Sequence, residues 1–228
     1  MLSSSYEHPF ACNVRTFSDH PLKDCESSPV SGSVFGLCVS IAPIPRGTQG
    51  QGFPYSRSAC DAKVEIDVFL DLTCPDSKAA FPVLKQVADH FGDQVALQSY
   101  MFPLPYHRAS YLACRGTFAV DGFNNNLTYQ WMKTVFDNQG TLYNSRTANI
   151  GDDQVSAILG GLAAQVGMKS DDFIKKSALN DNSQRIQWKY GCSRGVSGTP
   201  TALVNGVDVN MSAAWTLDNW IKIIQPLL

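Results

Sequence analysis

Between residues 64 and 91 the chain changes its hydrophobic period from two to three-and-four with almost no connection between. Val64, Ile66, Val68 and Leu70 alternate with Glu65, Asp67, Phe69 and Asp71, the pattern of a strand rich in β-branched residues. Thr73-Cys74-Pro75-Asp76-Ser77 follows, and then Ala80, Phe81, Leu84, Val87, Ala88 and Phe91 mark one face of a helix. Pro82 lies inside that helix and is expected to kink it, because proline removes one backbone donor. Gly92-Asp93 ends the helix, and Val95 to Phe102 reads as a second strand. A strand, helix and strand joined this closely form a βαβ unit, which requires a parallel pair and a right-handed crossover. That excludes all-α and all-antiparallel architectures.

Pro103 and Pro105 stop the second strand, and the stretch from about 106 to 193 carries helical periods around 111–120, 127–136, 153–166, 171–178 and 183–190. The pattern then returns to β. Thr201 to Val209 reads as a hairpin across Asn205-Gly206, a dipeptide suited to the tightest hairpin turns. Trp220, Ile221 and Ile224 set the period of a closing helix over 217–224. The order is β-α-β, a helical block, then β-β-α.

Composition agrees with a folded domain, since 44% of the 228 residues are hydrophobic and 17% charged. The net charge of -2 and isoelectric point near 6.0 argue against nucleic acid as the partner. No apolar run reaches the roughly 18 residues of a membrane helix, so stable membrane insertion is not expected.

Residues 1–60 differ from the rest. Ser, Pro and Gly supply 22 of them, and periodicity of either kind is short, so this segment is expected to be a poorly structured or targeting extension. Val34–Ile44 has the length of a signal-peptide apolar region, although Lys23, Asp24 and Glu26 flank it badly; a packed strand or loop is the alternative. The domain proper is placed at 61–228.

Cys74 stands where a strand ends and a helix begins. A thiol there meets unpaired backbone N–H groups and the positive end of the helix dipole, both of which favour thiolate. The alternative is a buried, inert cysteine. Pro75 suits the first helical turn, and Asp76 is expected to face solvent, away from the sulfur. Far along the chain, Gly198-Thr199-Pro200-Thr201 places an X-Pro step between a glycine turn and a strand, where a cis peptide is expected.

These elements in this order resemble the thioredoxin superfamily: the strand leading to Cys74-Pro75, Pro82 eight positions on, and Gly198-Thr199-Pro200 before the hairpin. The helical block between strands resembles the DsbA-like branch. Phe102–His107, Tyr190–Gly195 and Thr199–Gly206 are similar to thioredoxin-like proteins of plants. The resemblance covers roughly 61–228, and implies an α/β thioredoxin-like fold with a DsbA-type helical insertion at about 106–193. It implies Cys74 as nucleophile, Ser77 as its hydrogen-bonding neighbour, and Pro75, Asp76, Thr199 and Pro200 as the groove that takes substrate backbone.

Two departures matter. The dithiol members read C-x-x-C, and here Ser77 holds the second position. A serine cannot resolve a mixed disulfide, so an external thiol must. The buried acid those members carry on the first strand corresponds to Val68, with Asp67 one step away and expected to be exposed or salt-bridged. The resemblance therefore implies a thiol–disulfide oxidoreductase working through one thiol on protein or peptide thiols and disulfides. It implies no bound cofactor or metal, with glutathione admitted as co-substrate. The alternatives are a redox-inactive peptide-binding or chaperone-like module, and a kappa-like glutathione transferase, whose usual serine is here Cys74.

The remaining chemistry-bearing residues read as structural. His8, His20, His90 and His107 share no metal-ligand spacing, and His107 is expected to cap or pack the following helix. Cys114 and Cys192 are expected to be buried or, in a secreted protein, linked by a disulfide. Asn126-Leu-Thr and Asn210-Met-Ser match the glycosylation acceptor pattern, and with seven cysteines they favour a secretory or extracellular location.

Overall fold

The computed structural model describes residues 52–55 and 62–228. Five strands form one sheet in the order β1-β3-β2-β4-β5, with β1 at Phe53–Pro54, β2 at Val64–Leu70, β3 at Val95–Met101, β4 at Thr201–Val204 and β5 at Val207–Asp208. Strands β2 and β3 run parallel over seven paired positions, Val64 opposite Val95 through Leu70 opposite Met101. Helix α1, Pro75–Phe91, is the crossover between them and runs unbroken through Pro82.

On the other side of β2, β4 pairs antiparallel, with Phe69 opposite Thr201. Strand β4 therefore begins where β2 ends, which brings Thr199-Pro200 beside the turn that carries Cys74. The β4–β5 connection is Asn205-Gly206, with φ of 49° and 82°. Positive φ at both central residues is what a tight hairpin turn of this kind demands, and Asn and Gly tolerate it best. The extension drawn at 1–60 needs correction at its end. Phe53 and Pro54 pair with Ser99 and Gln98 of β3, so the chain enters the sheet before residue 60. The apolar window at 34–44 lies outside the described residues.

The block between β3 and β4 holds α2 (Ser110–Asp121), α3 (Thr128–Asp137), the short α4 (Asn144–Thr147), α5 (Asp152–Gln165), α6 (Ser170–Leu179) and α7 (Asp181–Ser193). Helix α8, Leu217–Ile224, closes the chain. The main core runs from the β2 face bearing Ile66, Val68 and Leu70, through Phe81 and Leu84 of α1, to Trp131 of α3 and Phe173 of α6.

Strand β2 differs from the half-exposed strand that its alternation suggests. Asp67 is buried at 3% exposure, and Phe69 is fully buried on the same side. The cause is α7, which lays Tyr190 and Trp188 over Phe69 and Phe102, with ring centroids at 6.1 and 6.0 Å. Gly191 makes this approach possible, since a Cβ there would sit 2.6 Å from the Phe102 ring. Two buried glutamines of α7 fix the end of β3: Met101 N donates to Gln187 Oε1 at 2.6 Å, and Gln184 Nε2 donates to Met101 O at 3.0 Å. They substitute for strand pairing where β3 runs out of neighbours.

Candidate thiol site

Cys74 is the N-cap of α1, with extended backbone (φ -81°, ψ 124°), and Pro75 follows as the first helical residue. A proline there costs no hydrogen bond, because the first-turn N–H groups have no partner inside the helix. The thiol does not cap the helix: no side-chain capping bond is made. Instead Cys74 Sγ lies 3.4 Å from the carbonyl oxygen of Thr199, to which it donates. The Thr199–Pro200 peptide is cis. Cys74 is 5% exposed and belongs to a buried apolar cluster with Phe69, Tyr100, Phe102, Leu104, Val196 and Leu203.

Two buried polar side chains hold the turn that presents Cys74. Asp71 is fully buried, and four donors converge on it. Thr73 N and Thr73 Oγ1 each donate to Oδ1 at 2.8 Å. Leu104 N donates to Oδ2 at 3.2 Å, and His107 Nδ1 lies 2.7 Å from the same oxygen. From the helical block, the buried Gln139 donates through Nε2 to Cys74 O at 2.9 Å and to Leu72 O at 3.1 Å. The site is thus gripped from the strand side and from the insertion side.

The sequence-derived site residues divide into two groups. Cys74, Thr199 and Pro200 come together across the groove. Pro75 and Asp76 are exposed at the start of α1, Asp76 facing solvent. Ser77 requires a correction: it is fully buried, and its Oγ accepts a hydrogen bond from Asp71 N at 3.3 Å. No hydrogen bond between Ser77 and the Cys74 sulfur occurs among the described residues. Burial draws the hydroxyl to the backbone N–H that the strand end leaves unpaired.

Three functional-looking residues escape a reading by periodicity. Asp71 falls on the polar face of the strand, yet ends as the anchor of the Cys74 turn. His107 does not cap the next helix but pairs with Asp71, with its side chain 22% exposed. Gln139 reads as an ordinary surface glutamine. The available signal is the Pro103/Pro105 segment, whose backbone has few donors and must be tied down by a side chain from elsewhere.

Among the described residues the other two cysteines are not joined: Cys114 is a buried free thiol and Cys192 an exposed one. Burial pushes the Cys114 thiol well up, and the nearby Asp71 charge adds to this, opposed by hydrogen bonds from Leu72 and Ser110. Among the described residues no cluster of His, Cys, Asp or Glu could hold a metal ion, and no helix is long and apolar enough to cross a membrane.

No protein-family model and no curated protein matches the chain. Solved structures do. A candidate protein-disulfide isomerase from Pseudomonas syringae superposes with a TM-score of 0.64 at 19% identity, covering 72% of this chain and 94% of that one. Oxidised BdbD from Bacillus subtilis gives 0.60 at 18% identity, over 78% and 97% of the two chains. DsbA2 from Pseudomonas aeruginosa gives 0.59 at 19%, over 80% and 97%. At these identities it is the fold that is shared: the sheet and helical block of this chain have the DsbA-like thioredoxin fold of these structures.

Proposed function

We propose that the protein is a thiol–disulfide oxidoreductase acting through the single thiol of Cys74 on protein or peptide disulfides, with glutathione as the external resolving thiol. The observation that carries this reading is the placement of Cys74 Sγ 3.4 Å from Thr199 O at a helix N-cap. An extended substrate backbone could take the Thr199 carbonyl while its sulfur meets Cys74. Thiolate attack on the substrate disulfide forms a mixed disulfide and releases one substrate thiol. Ser77 offers no second thiol, so glutathione must attack next, returning Cys74 and carrying the substrate sulfur away as a disulfide. Pro75 and Asp76, exposed at the start of α1, and the cis Thr199-Pro200 step are in this reading the residues that meet the substrate backbone.

The test is turnover of a peptide disulfide. Wild-type protein is expected to turn over only when glutathione is present, and Cys74→Ser to lose turnover with an unchanged melting temperature. Full activity in Cys74→Ser would remove the reading. The low exposure of the thiol favours one alternative, a peptide-binding module without redox turnover. In that case Cys74→Ser binds reduced, unfolded peptide as tightly as wild type, and neither protein turns over. The exposed Asn126 and Asn210 sequons support a secretory location. Endoglycosidase should then increase the mobility of protein from its native source, and no shift would count against it.

A further inference from the structure

A cleft of about 280 Å³ opens beside the Cys74 turn. Its walls include Thr73 and Pro75, the two residues flanking Cys74, together with His107, Tyr143 and Ser145. Two of its polar side chains are each anchored on a buried group. His107 Nδ1 is held at 2.7 Å by Asp71 Oδ2, and the Tyr143 hydroxyl donates to Gln139 Oε1 at 3.2 Å. Asp71 and Gln139 are the same residues that grip the backbone from Leu72 to Cys74. A carboxylate oxygen already accepting from Leu104 N can only accept from Nδ1, so in the neutral imidazole the lone pair is on Nε2. No hydrogen bond to Nε2 occurs among the described residues.

We infer that this cleft receives the small external thiol, and that His107 Nε2 takes that thiol's proton. The inference rests on the single-thiol reading above. Its volume lies just below the range of drug-sized small-molecule pockets, roughly 300–1,000 Å³, which admits a small thiol and not a protein domain. The balance is as follows. The S–H bond of the incoming thiol breaks, with its proton going to Nε2. Its sulfur bonds to the substrate sulfur of the mixed disulfide, the Cys74–substrate S–S bond breaks, and the electron pair leaves on Cys74 Sγ. The imidazolium then returns the proton to that sulfur or to water, so one disulfide is exchanged for another with no net oxidation. A free thiol is only a few per cent thiolate at pH 7, so a base in place raises the rate by up to about thirtyfold.

The groups around His107 are few. Asp71 faces Nδ1, with Cys114 behind it. The Tyr106 ring lies edge-on with centroids at 4.9 Å, Tyr143 lines the same cleft, and Arg108 turns toward Asp152 at 4.0 Å.

The experiment loads a cysteine peptide onto Cys74 of the full chain, mixes it with glutathione, quenches with N-ethylmaleimide and follows the Cys74 peptide by mass spectrometry. For wild type the release rate is expected to saturate with glutathione. His107→Asn should lower the plateau ten- to thirtyfold, and its pH profile should follow the ionisation of free glutathione. Ser145→Trp narrows the cleft while leaving Asp71 and His107 themselves unsubstituted, and should raise the half-saturating glutathione concentration at least tenfold. Release that is linear in glutathione for wild type, and equally fast in both variants, overturns the inference while leaving the single-thiol reading standing. Failure of Cys74 to accept the peptide at all overturns both.

Discussion

Replacing Asp71 tests the account of how the thiol is presented. In Asp71→Ala, Thr73 N and Leu104 N lose their acceptor, and both residues are under 5% exposed. A buried donor left without an acceptor costs about 1–3 kcal/mol, so the pair costs about 4 kcal/mol. Thr73 Oγ1 can rotate to another acceptor, and His107 can turn to water, so they add little. Asp71→Asn keeps one oxygen for the Thr73 pair, while its NH₂ can donate to His107 Nδ1 in the other tautomer. Only Leu104 N is then orphaned, at about 1–3 kcal/mol. Urea unfolding followed by tryptophan fluorescence, with a slope of about 2 kcal/mol per molar, should show the midpoint falling by about 2 M for alanine and about 1 M for asparagine. Midpoints within about 0.2 M of wild type for both variants, or a greater loss for asparagine than for alanine, would refute the reasoning.

Other expectations follow from the same packing. Gly191→Ala gains about 0.8–1.0 kcal/mol in helix propensity but drives a methyl to 2.6 Å from the Phe102 ring and 3.3 Å from Phe69, an overpacking cost of about 1–3 kcal/mol. The variant should therefore melt lower than wild type, and a higher melting temperature would contradict the packing of α7. Iodoacetamide at pH 8 should label Cys192 in native protein within minutes and leave Cys114 unlabelled until the chain is unfolded, as peptide mapping would show. Burial and the Asp181 hydrogen bond push the Tyr111 hydroxyl up to about 12, and burial pushes the Cys114 thiol up as well. Groups whose values rise on folding stabilise the protein below their unfolded values and lose that contribution as pH climbs through the raised ones. Thermal stability should accordingly decline from about pH 8.5 upward, and Cys114→Ala should flatten the first part of that decline.

Elements whose side chains obey one period were legible in the sequence. Helix α8 falls at 217–224 as its Trp220/Ile221/Ile224 spacing demands, and the Asn205-Gly206 turn lies where the hairpin needs positive φ. The covering of β2 on both faces was not legible, because Glu65, Asp67 and Asp71 give that strand an outward look. The sign was Phe69, an aromatic residue set among them. The site itself was half visible. Cys74 and Thr199-Pro200 announce themselves by position at element boundaries. Asp71, His107 and Gln139 act through hydrogen bonds to segments 33 to 67 residues away, and no local pattern encodes such a partner.

The most direct measurement traps the Cys74 adduct in the absence of any other thiol. A peptide disulfide is added to the full chain, the free peptide is removed, and the Cys74 adduct is followed by mass spectrometry over hours. Because Ser77 cannot attack a disulfide, the account predicts a one-to-one adduct on Cys74 that persists until glutathione is added. Ser77→Cys should shed the same adduct unaided, three residues along the helix being within reach of the sulfur. An adduct on Cys74 of the wild-type chain that disappears without external thiol, or no adduct on Cys74 at all, would contradict the claim that this protein works through a single thiol.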